Sequence, residues 1–179
     1  LEELKKELTE MSEKPFRAAQ IYEWLHVKLA DSFDEMTNLS KAARAKLSER
    51  YEVGVIPYAG LQISSDGTKK YLFRTQQGEY IESAYIPDAE RATLCVSSQA
   101  GCRMGCKFCA SGLLKKQRDL KAYEMVSQVM KMQEYLDKEG KGERVSHIVI
   151  MGSGEPFDNF DNVVKWLNLI TDKNGFNLS

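Results

Sequence analysis

The stretch RATLCVSSQAGCRMGCKFCASG, residues 91–112, carries all four cysteines of the 179-residue chain. It begins as a β-prone run and continues into a loop that places three cysteines within eight positions, at Cys102, Cys106 and Cys109. The glycines and charged residues between them are typical of a flexible polar loop, not of a core segment. The stretch therefore predicts a strand that leads into a thiol-rich loop.

The segments after this loop alternate between helix and strand. Apolar residues recur at helical spacing over 120–140, a short apolar run covers 144–152, and a second amphipathic segment covers 160–171. This order predicts right-handed βαβ units around a parallel sheet, with the run at 144–152 as a buried strand. The residues expected to face inward are Met125, Val126, Val129, Met130 and Leu136 on the first helix, and Val163, Val164, Leu167 and Ile170 on the second.

The first half of the chain predicts an α+β organisation. Residues 1–52 are expected to form a small helical module, and residues 53–91 a β-rich segment. Asp66-Gly67, between two β-prone runs, indicates a hairpin turn. In the second helix of the module, the apolar residues expected on or near one face are Phe16, Ala19, Ile21, Trp24, Leu25 and Leu29.

The composition is that of a globular protein, with a formal net charge of -1, 42% apolar residues and 28% charged residues. This balance gives no global positive field, and the basic side chains of the helical module favour a solvated surface over an RNA contact. No run approaches the roughly 20 apolar residues that span a bilayer, and the charged N-terminus is not a signal peptide. We expect a cytoplasmic location, where clustered cysteines more often indicate metal binding or catalysis than a disulfide.

Four interpretations compete for the three clustered cysteines. Their odd number and proximity fit a disulfide poorly, and a zinc site usually takes four ligands, while the only histidines, His26 and His147, are distant in sequence. Buried structural thiols are a third alternative. The fourth is an iron–sulfur cluster, in which three thiolates would leave one iron with the open coordination position that catalysis needs.

A second motif, IVIMGSGEP at residues 148–156, follows the next predicted strand. Ligands of parallel α/β folds bind at the carboxyl ends of the strands, where loops carry function. Glycines at 152 and 154 allow close backbone approach, and Glu155 offers a charged acceptor. Alone, this motif is only a weak turn signal.

Together, the two motifs resemble those of the radical S-adenosylmethionine (SAM) enzymes. The spacing C-x3-C-x2-C, with Phe108 before the third cysteine, is similar to the cluster motif of that superfamily, and GSGEP is similar to its GGE-type motif. The resemblance implies that the three clustered cysteines bind a [4Fe–4S] cluster, and that Gly154 and Glu155 hold the amino group of SAM. It also implies cleavage of SAM to methionine and a 5′-deoxyadenosyl radical.

A closer resemblance covers most of the chain. The segments ATLCVSSQAGCRMGCKFCASG, GSGEP, FRAAQIYEWL, DSFDEMTNLSK, DGTKKYLFR and IESAYIP are similar to those of the RlmN family of RNA adenine-C2 methyltransferases and of its sister family Cfr, which methylates adenine C8. The implied substrates are an adenosine of 23S rRNA and the adenosine 3′ of the anticodon in tRNA. The resemblance also implies an electron donor such as flavodoxin, and it implies that no membrane is a partner.

Two further residues receive roles from this resemblance. Cys95 matches the family cysteine that resolves a covalent protein–RNA adduct by forming a disulfide with a methyl-carrying cysteine, and Glu82 matches the family's proton acceptor. A strand carboxylate beside an apolar site is chemically suited to general-base catalysis. Without the resemblance, Cys95 is interpreted as a buried strand thiol and Glu82 as an exposed strand position. Ser153 departs from the family, which usually has Met there.

The resemblance also implies the fold class. An α+β N-terminal part, made of the helical module and the β-hairpin segment, is followed over residues 92–179 by the start of an α/β radical SAM partial (β/α)6 barrel, truncated after the second βα unit. The chain is expected to be an incomplete fragment, inactive alone, with the methyl-carrying cysteine beyond residue 179. A Cfr-like C8 enzyme and a non-catalytic RNA-binding fragment are the alternatives.

Overall fold

The computed structural model describes residues 1–88, 91–140 and 144–178. The chain divides into two compact units, one of Leu1–Gly54 with Ile170–Asn177 and one of Val55–Leu169 with Leu178. The first unit is helical, whereas the second contains the β-strands and all four cysteines.

The described part of the first unit is built mainly from three helices, α1 (Glu2–Glu10), α2 (Arg17–His26) and α3 (Lys41–Arg50), with a 3-10 helix at Phe33–Glu35. Helix α3 begins after Ser40, because the Ser40 hydroxyl accepts a hydrogen bond from the backbone N–H of Ala43 at 3.2 Å. The apolar core of this unit consists of Leu8, Met11, Ala18, Ile21, Ala30, Phe33, Met36, Leu39 and Leu47.

The buried face of α2 differs from the one predicted by residue spacing. Phe16 and Ala19 are exposed, whereas Ala18 and Tyr22 are buried beside Ile21. Phe16 occupies the position before the first helical residue, so the helical repeat does not carry its side chain onto the face that Ala18 and Ile21 share.

The second unit contains a mixed sheet that has five strands in the described residues. In spatial order they are β1 (Tyr58–Ile63), β2 (Lys69–Arg74), β3 (Tyr80–Pro87), β4 (Ala92–Cys95) and β7 (His147–Val149), and a separate ribbon pairs β5 (Gln99–Ala100) with β6 (Arg118–Asp119). The predicted hairpin is confirmed, because β1 and β2 are antiparallel and are joined by a turn at Asp66-Gly67. In that turn Gly67 has φ +84°, a conformation that favours glycine.

Strand β4 is the position at which the sheet changes from antiparallel to parallel pairing. It runs antiparallel to β3 and parallel to β7, with Leu94 opposite Ile148. Helix α4 (Ala122–Glu139) connects the two parallel strands, which makes β4–α4–β7 the predicted βαβ unit. All five residues predicted for the inward face of α4 are buried, and Gly140 ends the helix with φ +69°.

Two expectations for the second half of the chain are wrong in detail. Strand β7 is not a buried strand, since His147 is exposed and the two residues after it are only half-buried. In α5 (Phe160–Ile170), Trp166 joins Val163 and Ile170 as a buried residue, while Val164 and Leu167 are exposed. The i, i+3 and i+7 stripe that includes the large indole faces the interior in preference to the aliphatic pair beside it.

The observed architecture is α+β with a mixed sheet, and the alternation of β3 determines what its two faces carry. Ile81, Ser83 and Tyr85 are buried on one face, whereas Tyr80 and Glu82 are exposed on the other. Among the residues described, no helix has the length and apolar character needed to cross a membrane.

Candidate active site

A pocket in the second unit is lined by residues from several of the predicted motifs. Its volume is about 280 Å³, and its walls include Glu82 of β3, Cys95 of β4, Cys109, Gly152 and Ser153. These five residues come from two adjacent strands, from the cysteine loop (residues 101–114) and from the glycine loop (residues 151–155). Cys102, Cys106, Gly154 and Glu155 are not part of this lining.

Strand register explains why Glu82 and Cys95 meet in the pocket. Cys95 lies directly opposite Ala84 in the antiparallel pairing of β3 with β4. Glu82 precedes Ala84 by two residues, so both point to the same face of the sheet as Cys95. On its other side Cys95 pairs with Val149 of β7, which leads into the glycine loop. The strands therefore carry a carboxylate and a thiol to the same open face.

The environment of Cys95 favours the protonated thiol. Burial raises the pKa of Cys95, and a hydrogen bond from the backbone of Met151 lowers it in part. Cys95 is a half-buried free thiol. At neutral pH it is therefore a weaker nucleophile and a poorer metal ligand than an exposed cysteine.

Glu82 forms an ion pair with a lysine of the neighbouring strand. The Nζ atom of Lys70 lies 3.0 Å from the Glu82 carboxylate, and both side chains are about half exposed. Lys70 also lines the pocket. An ion pair of this exposure contributes little to stability, so the carboxylate can exchange Lys70 for another partner at low cost.

Backbone hydrogen bonds and glycine turns define the cysteine loop. The N–H of Cys102 donates to the carbonyl of Leu114 at 3.1 Å and closes the loop at its two ends. Gly101 has φ +76°, and a Cβ there would collide with the carbonyl oxygen of Lys115. Within the loop, Gly105 has φ +66° and the N–H of Cys109 donates to the carbonyl of Cys106. The two glycines therefore permit turns in which a residue with a side chain would have a strained backbone.

The thiols of this loop have the chemistry of iron ligands but are not gathered into a metal site. The three thiols, those of Cys102, Cys106 and Cys109, are not engaged in disulfide bonds, and Cys106 is exposed. Hydrogen bonds from the backbone and the hydroxyl of Ser111, and from the Gly112 N–H, lower the pKa of Cys109. Across the described ranges, no three His, Cys, Asp or Glu side chains are grouped to hold a metal ion. The donor set suits an iron–sulfur cluster, whose binding would require the loop to draw its sulfur atoms together.

The glycine loop packs tightly against the chain that leaves β4. The N–H of Gly152 donates to the carbonyl of Val96 at 3.0 Å, and the Ser153 carbonyl accepts hydrogen bonds from the N–H groups of Ser98 and Gln99. A Cβ at residue 152 would lie 2.6 Å from Ser97 Oγ. Gly152 is therefore required by the close approach of two backbone segments.

Glu155 is placed at the start of a 3-10 helix that spans Pro156–Asn159. One carboxylate oxygen accepts a hydrogen bond from the N–H of Phe157 at 3.1 Å, which caps the helix. The backbone N–H of Glu155 donates to Gln99 Oε1 at 2.9 Å. The residue is thus fixed by both its backbone and its side chain.

A buried polar network behind the pocket escaped the sequence analysis. Gln128 of α4 accepts hydrogen bonds from the Ser83 hydroxyl at 2.5 Å and from the Ser97 N–H at 2.8 Å, and it donates to the Ser97 carbonyl at 3.0 Å. The Ser97 hydroxyl donates to the backbone carbonyl of Glu82 at 2.6 Å and accepts from the N–H of Ser153. A polar residue on the apolar face of α4 was the sequence feature that could have revealed this network.

Comparisons with known proteins identify similar sequences over most of the chain. Residues 1–53 match the family model described as the ribosomal RNA large subunit methyltransferase N-terminal domain. A Streptococcus gordonii protein named "Probable dual-specificity RNA methyltransferase RlmN" is 53% identical over 163 residues, covering 91% of this chain and 45% of its own length. A protein of the same name from Streptococcus mutans is 51% identical over 166 residues, covering 93% of this chain and 46% of its own length.

A solved structure shares the fold of almost the entire chain. The crystal structure of a radical SAM methyltransferase from Sphaerobacter thermophilus superposes with a TM-score of 0.92 at 36% identity, and the match covers 98% of this chain and 51% of that chain. The chain therefore has the fold of about half of that radical SAM methyltransferase. Within that class, the chain belongs to the RlmN family, as its motifs predicted, and it spans about half the length of the curated relatives it matches.

Proposed function

We propose that this chain carries part of the active site of a radical SAM methyltransferase that methylates C2 of adenosine in RNA. The convergence of Glu82, Cys95 and Cys109 on one pocket is the observation that carries the proposal. In such an enzyme, a proton acceptor, a redox-active thiol and a cluster ligand would have to lie close together. Purely structural roles for these three residues would not require them to line the same pocket. The family relationship supplies the reaction class.

The cofactor sites follow from the two loops. Cys102, Cys106 and Cys109 would hold a [4Fe–4S] cluster through three thiolates, and the glycine loop with Gly154 and Glu155 would hold the amino group of SAM. When bound, the cluster supplies the electron that cleaves SAM. The lowered pKa of Cys109 favours the thiolate that ligation needs.

Glu82 is proposed to accept a proton from the substrate. Its carboxylate faces the pocket and forms an exposed ion pair with Lys70, which a substrate can displace. The released Lys70 ammonium group then offers a positive charge to the RNA.

Cys95 is proposed to resolve a covalent intermediate. Its thiolate would bond to the sulfur of a second, methyl-carrying cysteine, while the bond from that sulfur to the substrate's methylene carbon breaks. The electron pair leaves with the carbon, which takes up a proton and becomes the methyl group. The raised pKa of Cys95 keeps its thiol protonated and away from the iron until this step. Since the other three cysteines are assigned to the cluster, the second cysteine is none of the four in this chain.

The substrates proposed are 23S rRNA and the adenosine next to the anticodon in tRNA, with flavodoxin or a similar protein as electron donor in the cytoplasm. The names of the matched relatives support two kinds of RNA substrate, because they are called dual-specificity enzymes. We further propose a division into an accessory module at residues 1–52, a connecting segment at 53–91 and the start of the partial (β/α)6 barrel at 92–179. The parallel β4–α4–β7 unit supports the barrel.

Anaerobic reconstitution with iron and sulfide tests the cluster assignment. The chain should develop the absorption of a [4Fe–4S] cluster and, after reduction, an electron paramagnetic resonance (EPR) signal that changes when SAM is added. Cys106→Ala should abolish the cluster. Cys95→Ala removes a thiol of the same stretch and should leave the cluster intact. Wild-type protein without a cluster, or with one insensitive to SAM, would contradict the proposal.

Analysis of RNA modified by the complete protein tests the catalytic residues. Mass spectrometry of digested rRNA and tRNA should find 2-methyladenosine, whereas 8-methyladenosine would indicate the alternative regiochemistry. Cys95→Ala should accumulate protein covalently linked to RNA, and Glu82→Gln should lower the methylation rate by about 100-fold or more, the usual range for a general base. Free methylated RNA produced at the normal rate by Cys95→Ala would show that the thiol has no resolving role.

A further inference from the structure

A charged cluster joins the cysteine loop to the segment that follows the glycine loop. At its centre is Asp158, whose side chain is only 8% exposed. Its carboxylate accepts hydrogen bonds from Lys116 Nζ at 2.8 Å, from Gln99 Nε2 at 2.9 Å and from the guanidinium of Arg103. Two of these donors are cations, so the bonds are of the strong, charge-assisted kind.

The three donors come from different parts of the cysteine-loop region. Gln99 lies on β5 just before the loop, Arg103 directly follows Cys102 within it, and Lys116 lies just after it. A single carboxylate from the segment after the glycine loop therefore contacts the beginning, the interior and the end of the region that carries the clustered cysteines.

Gln99 extends the same cluster to the glycine loop. Its side-chain oxygen accepts the backbone N–H of Glu155 at 2.9 Å, while its nitrogen donates to Asp158 and, at 2.7 Å, to Asp119. Gln99 is fully buried, and its Cβ lies where a side chain on Gly154 would have to be. The amide thus holds the two proposed cofactor-binding loops in one network of hydrogen bonds.

The contacts of Asp158 differ in how well they could be replaced. Lys116 and Gln99 also bind Asp119, so they would keep an acidic partner without Asp158. The Arg103 side chain is 66% exposed and forms a salt bridge with Asp158. Without the carboxylate, the guanidinium would move into water, where it is well solvated, and the interior of the cysteine loop would lose this contact with the segment after the glycine loop. The rest of the unit would keep its fold.

We propose that Asp158 is a positioning residue that fixes the cysteine loop relative to the glycine loop, acting through Arg103 and Gln99. The inference rests on the proposed function for what the two loops bind. The contacts themselves belong to the cofactor-free chain, so the positioning can be tested without the cofactors. Ligand-bearing loops need such support, because small displacements of ligands cost affinity and rate.

Hydrogen exchange of the cofactor-free chain, followed by mass spectrometry, tests the attachment. Asp158→Asn should speed exchange of peptides from residues 101–114 by about tenfold, with α4 and the β1–β3 sheet unchanged, as expected for a local opening. Arg103→Ala should do the same, and the double variant should add little to either single one, because both remove one contact. Asp161→Asn makes the same chemical change at an exposed position of α5 and should leave exchange as in the wild type.

Titration of the reconstituted chain with SAM tests the consequence. The Asp158→Asn variant should still assemble the cluster. The SAM concentration that half-saturates the change in its EPR signal should rise by about tenfold, which means a tenfold weaker affinity for SAM. Asp161→Asn should again match the wild type. A wild-type chain that assembles no cluster would refute the proposed function, and the exchange experiment would still decide whether Asp158 positions the loop.

Two results would overturn the inference. Exchange of residues 101–114 within about twofold of the wild type in Asp158→Asn would show that the carboxylate does not hold the loop. Faster exchange throughout residues 55–169, with an additive double variant, would show that Asp158 only contributes to general stability.

Discussion

Gly154 lies against Gln99 so closely that a Cβ on residue 154 would be 2.6 Å from the Cβ of Gln99 and 2.8 Å from its backbone nitrogen. Gly154 also has φ +106°, which L-residues with a side chain rarely adopt. The glycine is therefore required by the fold itself, in addition to any contact with SAM. A motif glycine that is proposed to bind SAM here also allows the glycine loop to pack against β5.

Substitution of Gly154 separates these two requirements. Gly154→Ala should lower the free energy of unfolding by about 2–4 kcal/mol, because it combines backbone strain with a collision against Gln99. Gly78→Ala is a matched control, since Gly78 has φ +99° but nothing within 4 Å of the added Cβ. The control should cost only about 1–2 kcal/mol from backbone strain, measured by urea unfolding. Equal costs for both variants would mean that the contact with Gln99 is not limiting.

The thiol of Cys95 should react more slowly than that of Cys106. Burial raises the pKa of Cys95, whereas Cys106 is exposed. In the reduced, cofactor-free chain at pH 7.5, iodoacetamide should label Cys95 at least about tenfold more slowly, because the thiolate is the reactive form. Site-resolved mass spectrometry measures both rates in one sample, and urea-unfolded protein is the control in which the rates converge. Equal rates in the folded chain would contradict a protected Cys95.

His26 should make the chain less stable as the pH falls below neutrality. Burial lowers the pKa of His26 from 6.5 to about 4, and its ring packs against Tyr22 at a centroid distance of 4.4 Å. Above pH 6.5 the histidine is neutral in both the folded and the unfolded state. Between pH 6.5 and about 4 only the unfolded state gains a proton, so stability is lost over this window.

Urea unfolding at pH 7 and pH 5 measures this loss. His26 should contribute about 2 kcal/mol to the difference between the two pH values, and His26→Phe, which cannot titrate, should remove that contribution. His147→Gln is the control, because His147 is exposed and is the chain's only other histidine. A pH dependence unchanged by His26→Phe would show that the His26 ring is not the titrating group.

Arg118 should be among the most important charged residues for the stability of the second unit. Its guanidinium donates to Glu79 and, through two hydrogen bonds of 2.8 Å, to Glu124, whose side chain is 1% exposed. Arg118→Met should cost about 3–5 kcal/mol, because it leaves the buried Glu124 carboxylate without its cationic partner and with only the Lys121 N–H among its described hydrogen-bond donors. Adding Glu124→Gln should recover part of this loss.

Lys138 provides the comparison for that prediction. It pairs with Glu134 at 2.5 Å on α4, but its side chain is 72% exposed. Lys138→Met should therefore cost no more than about 1 kcal/mol. Thermal unfolding followed by circular dichroism compares the two variants, and similar costs would indicate that burial does not decide the strength of these pairs.

Local patterns were enough to predict several elements. The Asp66-Gly67 turn, the inward face of α4 and the parallel pairing of β7 with β4 follow from short-range features such as turn chemistry and periodicity. The face of α5 did not follow, because Val163 alone does not reveal whether the neighbouring Trp166 or Val164 faces the interior. That choice depends on the packing of other segments against the helix.

The arrangement of the candidate site could be predicted only in part. Family resemblance pointed to Glu82 and Cys95, but their meeting in one pocket depends on the register that sets Ala84 opposite Cys95. The contact of Asp158 with Arg103 joins residues far apart in sequence, so no local sequence pattern predicts it. The roles of these residues stay predictions until the variants are measured.

Strand β4 pairs with a strand on each side, and this limits where insertions and deletions can occur in the chain. Its register is constrained twice, by β3 on one side and by β7 on the other. A one-residue insertion or deletion in β4 would turn Cys95 to the opposite face and bring Leu94 toward the pocket, since side chains alternate along a strand. The turn at residues 64–68 bears no such double constraint, so length variation should be tolerated there and eliminated from β4.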